Sequence, residues 1–382
     1  MLNFIRVIPM QLKKIVILVC FLAGNCLASK GNLILPKDTS TFLKRLTKKR
    51  DFLLAPQLDR SPETGFLTGI YYLQLFKIRK ERKDTTNRTS NTETTLSYTE
   101  KNQFIAELNN TLLFHKEKYI LRGTSVFKKF NEYFYGIGNG IDLKQRELID
   151  FNLIQLTQRF TRTLKNHCHI GVQGQFYQTR NIHYIQNGFL QSSGAIGING
   201  SYTTGFGPLF LYDSRDNVVN SRKGLYLDVS ALYNTSSVGS QYSYQNFTLD
   251  ARKFIKVYGT VTLCLQGLIN FNWGQIPFRQ LAQMGGDIIM RGYYTGAFRD
   301  NNMVCVQAEM RIPLYKFFGI VLFSAFGEVA HNINQFNLSN AVPSSGIGLR
   351  FMFIRHERIN VGGDLGFGRG VQGLYLGSGE AF

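Results

Sequence analysis

The stretch VYGTVTLCLQGLINF, Val257 to Phe271, decides the fold. Val257, Gly259, Val261, Leu263, Leu265, Gly267, Ile269 and Phe271 fall on one face. Tyr258, Thr260, Thr262, Cys264, Gln266, Leu268 and Asn270 fall on the other. Successive strand side chains point to opposite faces, so this period of two predicts a β-strand with one apolar and one wetter side. The pattern recurs. Val304, Val306, Ala308, Met310 and Ile312 oppose Cys305, Gln307, Glu309 and Arg311; Ile170, Val172, Gly174 and Phe176 oppose His169, Gly171, Gln173, Gln175 and Tyr177. In Leu225–Asn234, likewise, Asp228, Ser230 and Asn234 sit on the wetter side.

Fourteen such segments can be read, near 65–78, 97–113, 118–128, 147–160, 167–179, 194–212, 224–234, 241–252, 256–272, 303–311, 318–329, 344–355, 360–367 and 374–382. Their connections alternate between long (79–96, 129–146, 180–193, 273–302, 330–343) and short (114–117, 161–166, 253–255, 312–317, 356–359), with 213–223, 235–240 and 368–373 as exceptions. Long loops at one end and short turns at the other mark an up-and-down barrel of an outer membrane, with an even strand count. A soluble sandwich or propeller also alternates, but it predicts neither the loop pattern nor an export signal.

That signal is at the start. Lys13 and Lys14 precede the short apolar run IVILVCFLAGNCLA, and Ala28 closes it as a cleavage point. The run is too short for a spanning helix, and beyond it no stretch of 18 apolar residues occurs. The expected organisation is therefore a signal peptide at 1–28, a periplasmic tether at 29–61, and one all-β, antiparallel transmembrane barrel of 14–16 strands at 62–382, with the chain in the outer membrane. Cys168, Cys264 and Cys305 are an odd number without metal-ligand spacing and form no disulfide framework. The formal net charge is +19. Export excludes nucleic acid as a partner, which leaves lipid headgroups, lipopolysaccharide phosphates or simple loop hydration. His167 and His169 share a strand face, as a pair of solvated histidines near a turn. No nucleophile elbow, zinc-protease or phosphate-loop motif appears, so no enzyme, cofactor or metal site is expected.

The longest connection is QMGGDIIMRGYYTGAFRDNN, Gln283 to Asn302. Two readings fit its residues. It is a solvated loop, or its arginine folds back to a carboxylate on a wet strand face, where guanidinium geometry favours a bidentate pair. Gly285, Gly286, then Met290, Arg291, Gly292 and Tyr293, followed by Glu309, Arg311 and Pro313, resemble the C-terminal barrel of the bacterial surface antigen family, the BamA/TamA group of assembly and translocation proteins. Upstream, Asp213, Arg215, Asp216, Asn217 and Gly224 resemble that family's turn before a glycine-started strand, and Phe382 resembles its closing aromatic signal.

The resemblance implies a lumen-docked loop with Arg291 against wall residues Glu309, Arg311 and Gly327. It also implies a weak seam between first and last strands (about 65–78 and 374–382), open to unfolded outer-membrane proteins or periplasmic accessory proteins. Three departures stand out. The family's barrel usually has sixteen strands where fourteen are read here. Ala325 occupies the place of an expected carboxylate, leaving more of the pairing to Glu309, and 29–61 is too short for one polypeptide-transport-associated domain. The expected function is cofactor-free insertion or translocation of proteins; the alternative is a passive pore, receptor or structural surface antigen without assembly activity.

Overall fold

The computed structural model describes residues 52–77, 90–115, 117–165, 167–355 and 358–382. The signal peptide and the first part of the expected tether lie outside them. The strands are β1 (Phe52–Ser61), β2 (Gly65–Phe76), β3 (Ser90–Thr99), β4 (Phe104–Phe114), β5 (Tyr119–Phe134), β6 (Glu147–Lys165), β7 (Cys168–His183), β8 (Ser201–Asp213), β9 (Gly224–Asn234), β10 (Tyr244–Tyr258) and β11 (Val261–Gly274). After a small hairpin, β12 (Ala282–Met284) with β13 (Phe298–Asp300), come β14 (Asn302–Tyr315), β15 (Phe318–Ala330), β16 (Val342–Ile354), β17 (Ile359–Gly368) and β18 (Val371–Ser378). All but β12 and β13 close into one antiparallel barrel of sixteen strands.

Sixteen rather than fourteen follows from two places. The segment read as 97–113 is two strands, β3 and β4, joined by a tight turn in which Asn102 takes a positive φ of 59°. The end of the expected tether is itself a wall strand, β1. Its pattern was masked by Leu53 and Ala55 on the inward face and by Pro56. Proline is tolerated because β1 has a full ladder on one side only: all ten of its residues pair with β2, while the sole register pair with β18 is Arg60 opposite Leu376. Splitting 97–113 also moves the connection after β2 to the short-turn end; residues 78–89 of it lie outside the described ones.

Alternation sets the two faces. Along β11, Thr262, Cys264, Gln266 and Asn272 are buried while Leu265 and Trp273 are exposed. Along β14, Cys305, Gln307, Glu309 and Arg311 are buried while Val306 and Met310 are exposed. The apolar face is the outer one, as a strand facing lipid requires. The connections 135–146, 184–200, 235–243, 275–301 and 331–341 gather at one end of the barrel, and two-residue turns such as 259–260 and 316–317 at the other. Cys168, Cys264 and Cys305 are all free thiols.

Candidate functional site: an ion-pair ring between loop and wall

The segment 275–301 is built for close contact. Its hairpin pairs Ala282 with Asp300 and Met284 with Phe298. Gly285 and Gly286 reverse the chain at φ of 114° and 121°, and a Cβ on Gly285 would come within 2.1 Å of the Tyr294 carbonyl oxygen. Met284, Met290, Tyr293, Ala297 and Phe298 form an apolar cluster with Met303, Cys305, Ala325, Val329 and Val342 of the wall. Gly327 lies under this cluster: a Cβ there would meet the Met284 sulfur at 2.3 Å. Its role is to admit the hairpin, not to partner the arginine.

Arg291 is 2% exposed and sits between two carboxylates, Glu309 of β14 and, at 2.5 Å, Asp364 of β17. Its guanidinium carbon lies 3.6 Å from the centre of the Phe323 ring, a cation–π contact on the third side. Ser344 donates to the Arg291 carbonyl. The Gly292 amide donates to the Tyr375 hydroxyl at 3.1 Å, and that hydroxyl donates to the Tyr293 carbonyl at 3.0 Å. The Tyr293 hydroxyl donates to the Pro343 carbonyl at 2.7 Å and accepts from the Arg369 amide at 2.7 Å. The backbones touch at Gly366, where a Cβ would lie 2.6 Å from Arg291 carbon and Gly292 nitrogen.

The pairs continue into a closed ring. Glu309 accepts from Arg311 at 2.8 Å, Arg311 lies 3.9 Å from Glu380, and Glu380 accepts from Arg350 at 2.9 Å. Arg350 donates to Asp364 at 2.5 Å, which returns to Arg291. Three arginines face three carboxylates, so the ring is neutral. Buried ions are tolerated when paired and hydrogen-bonded in this way. The carboxylate expected at 325 is thus supplied from elsewhere. Ala325 belongs to the apolar cluster, and Asp364, two residues before Gly366 on β17, takes the second place beside Arg291.

Two further motifs join the ring. The Arg311 guanidinium donates to the Phe382 carbonyl at 2.6 Å and to Asn220 at 3.3 Å. Phe382 itself is buried against Phe254 and Cys264, so it does not end a lipid-facing strand as the terminal signal would. After β18, Gly379 takes φ of 96° and the following residues turn inward, drawn by Glu380 to Arg350 and, at 2.6 Å, to Asn360. In the turn after β8, Asp213 holds Arg215 at 2.8 Å, Asp216 holds Arg358 at 2.7 Å, and Asn217 accepts from the amides of Val219 and Asn220. Gly224 has φ of 118° where a Cβ would strike the Ser214 carbonyl at 2.4 Å. Burial works against the Asp216 charge, yet donors from Arg358 and the Arg222 and Lys223 amides hold its pKa below the usual carboxylate value.

Outside the ring, the carboxylate of Glu132 of β5 grips the base of the hairpin through Arg279 and, at 3.3 Å, Arg299, while Glu63 accepts from the Thr295 amide at 2.6 Å. The hairpin is therefore attached both to β5 and to β14–β17. His167 and His169 bond separately, to the Asp213 carbonyl at 2.9 Å and the Thr163 hydroxyl at 3.0 Å.

A model of the Omp85 superfamily domain matches residues 77–354. The chain belongs to the Omp85 superfamily. It is a bacterial outer-membrane protein. No curated protein matches the sequence. Among solved structures, BamA from Haemophilus ducreyi lacking POTRA domains 1–3 is similar with a TM-score of 0.60 and 10% identity, over 87% of this chain and 70% of that one. CdiB from Escherichia coli gives 0.59 and 10%, over 86% and 63%. CdiB from Acinetobacter baumannii gives 0.56 and 11%, over 87% and 60%. At such identities the likeness is one of fold. Within this Omp85 barrel, sequence located Arg291, Glu309 and Arg311 but missed Arg350, Asp364 and Glu380. Two of the three had a local signal: Asp364 is an acid two before a glycine in 360–367, and Glu380 is a charge that breaks the alternation of the last segment.

Proposed function

We propose that this Omp85 barrel assists insertion or translocation of proteins at the outer membrane through the junction of β1 and β18, without nucleotide or cofactor. The observation that carries the reading is the junction itself. A closed sheet of long ladders is joined there by one register pair, Arg60 with Leu376. Unpaired strand edges are templates for an added strand, so a client strand can pair with the free edge of β1 and pass sideways into lipid. In this reading the hairpin 282–300 docks in the lumen and braces the wall beside the seam, through Asp364 of β17 and Tyr375 of β18. Accessory proteins on the periplasmic side deliver the client.

A covalent staple tests this. In a background with Cys168 changed to Ser, Arg60→Cys and Leu376→Cys place two thiols on directly opposed residues. Oxidised protein in liposomes should lose its acceleration of client-barrel insertion, and reduction should restore it. Equal activity in both states would overturn the seam route. The passive-pore alternative draws on the cavity of about 810 Å³ lined by Glu132, Arg159, Asp228 and Arg279; solute leak with no assistance to clients would favour it.

A further inference from the structure

The excess of basic residues is unevenly placed. At the long-loop end, the connections 184–200, 235–243 and 331–341 contain no Lys, Arg, Asp or Glu at all. In 275–301 the three arginines are consumed by Glu132, Glu309 and Asp364. At the short-turn end the picture reverses. The turns β10–β11, β14–β15 and β16–β17 follow one another around the rim. They and their flanking strand ends carry Lys253, Lys256, Lys316 and Arg355, all exposed. No described acidic side chain pairs with any of the four; the nearby Asp216 is engaged by Arg358. Glu357, in the third turn, lies outside the described residues, and counting it still leaves cations in excess.

The same rim is aromatic. Tyr258 is 83% exposed and Tyr315 67%. Lys316 lies 4.9 Å from the Tyr315 ring centre. Phe318 and Phe351 pack at 5.4 Å between centroids and Phe317 and Phe351 at 6.2 Å, with Phe353 exposed beside them. Aromatic rings settle at the level of lipid headgroups, and lysines just beyond them reach phosphates.

We propose that this rim, from β10 to β17, binds anionic phospholipid headgroups of the leaflet facing the short turns. The proposal goes beyond the seam reading and does not depend on it. Lipopolysaccharide lies in the leaflet at the other end, where Lys101, Lys144, Arg146 and Arg369 are accompanied by Glu63, Glu100 and Asp142 in the connections of that end. Binding there would orient the barrel and hold anionic lipid close to β17 and β18.

The test uses folded, detergent-purified full chain equilibrated with equal amounts of phosphatidylglycerol and phosphatidylethanolamine. Retained lipid is read by native mass spectrometry, and folding by gel-shift on heating. Wild type should retain phosphatidylglycerol in excess, and each cation removed should cost up to about fivefold in that preference. The set K256Q, K316Q and R355Q should abolish it, while K101Q, K144Q and R369Q at the long-loop end should leave it intact. Should the triple variant misfold, K316E alone, at the tip of a two-residue turn, must lower the preference. No preference in wild type, the same preference in the short-turn variants, or loss only in the long-loop set would overturn the proposal. Retention of lipid A instead of phosphatidylglycerol would do the same.

Discussion

Arg291 shows what a single residue does in this barrel. A guanidinium between Glu309 and Asp364 satisfies both carboxylates with separate nitrogens, while its face covers Phe323. Removing it leaves three buried carboxylates against the two remaining arginines, Arg311 and Arg350, and breaking a buried ion pair costs about 3–5 kcal/mol. Arg291→Ala should therefore lower the unfolding midpoint markedly in a heat-modifiability assay. Arg291→Lys should recover only part, because an ammonium is a point charge and cannot hold the fork geometry. Asp364→Asn should weaken the ring less, since Glu309 remains. Gly366→Ala is a separate check on the backbone contact. Its new methyl would meet main-chain atoms at 2.6 Å, a misfit worth about 1–3 kcal/mol. Unchanged midpoints in Arg291→Ala would show that the ring does not hold the hairpin. The arginine and Glu309 were legible in sequence because the loop motif and the E-x-R strand are each local. Asp364 was not, because its partner is 73 positions away and only sheet closure brings them together.

At the scale of elements, alternation identified most strands, and failed where its assumptions fail. β3 and β4 merged because their tight turn carries none of the usual glycine or proline punctuation. β1 was lost because its inward face is half apolar. The Asp213–Gly224 turn was legible as a motif, and its internal hydrogen bonds explain the spacing. It also makes a pH prediction. Asp216 has a folded pKa depressed below an unfolded value of about 3.9. Its contribution is thus fully present above that unfolded value and is lost as pH falls through the folded one. The amides of Arg222 and Lys223, which donate to Asp216 at 2.8 and 3.1 Å, should keep their hydrogen-exchange protection from neutral pH to below 4 and lose it beneath. In Asp216→Asn their protection should already be reduced at pH 7. Protection that fades near pH 5 would mean that the carboxylate does not organise the turn.

For the whole molecule, closure converts separate motifs into one network. The loop tip, the β14 carboxylate, the residues after β18 and the turn after β8 meet around Arg311, although 91 positions separate Asn220 from it and 71 separate Phe382. No periodicity in a linear sequence encodes that meeting. The network has a mechanical consequence. The hairpin is fixed at its base by Glu132 of β5 and at its tip by the ring, so the sixteen-strand wall holds it at two anchor points. A barrel of this strand count without an internal element encloses an aqueous channel. Replacing residues 287–297 by a short Gly-Ser link removes the tip while leaving every barrel strand in place. Its conductance in planar bilayers should rise several-fold over wild type. Glu132→Gln with Asp364→Asn, which loosens both anchors but keeps the hairpin, should instead give flickering between the two levels. If the shortened protein, shown to be folded by its heat-dependent gel shift, conducts no more than wild type, then the 275–301 segment is not what limits the pore.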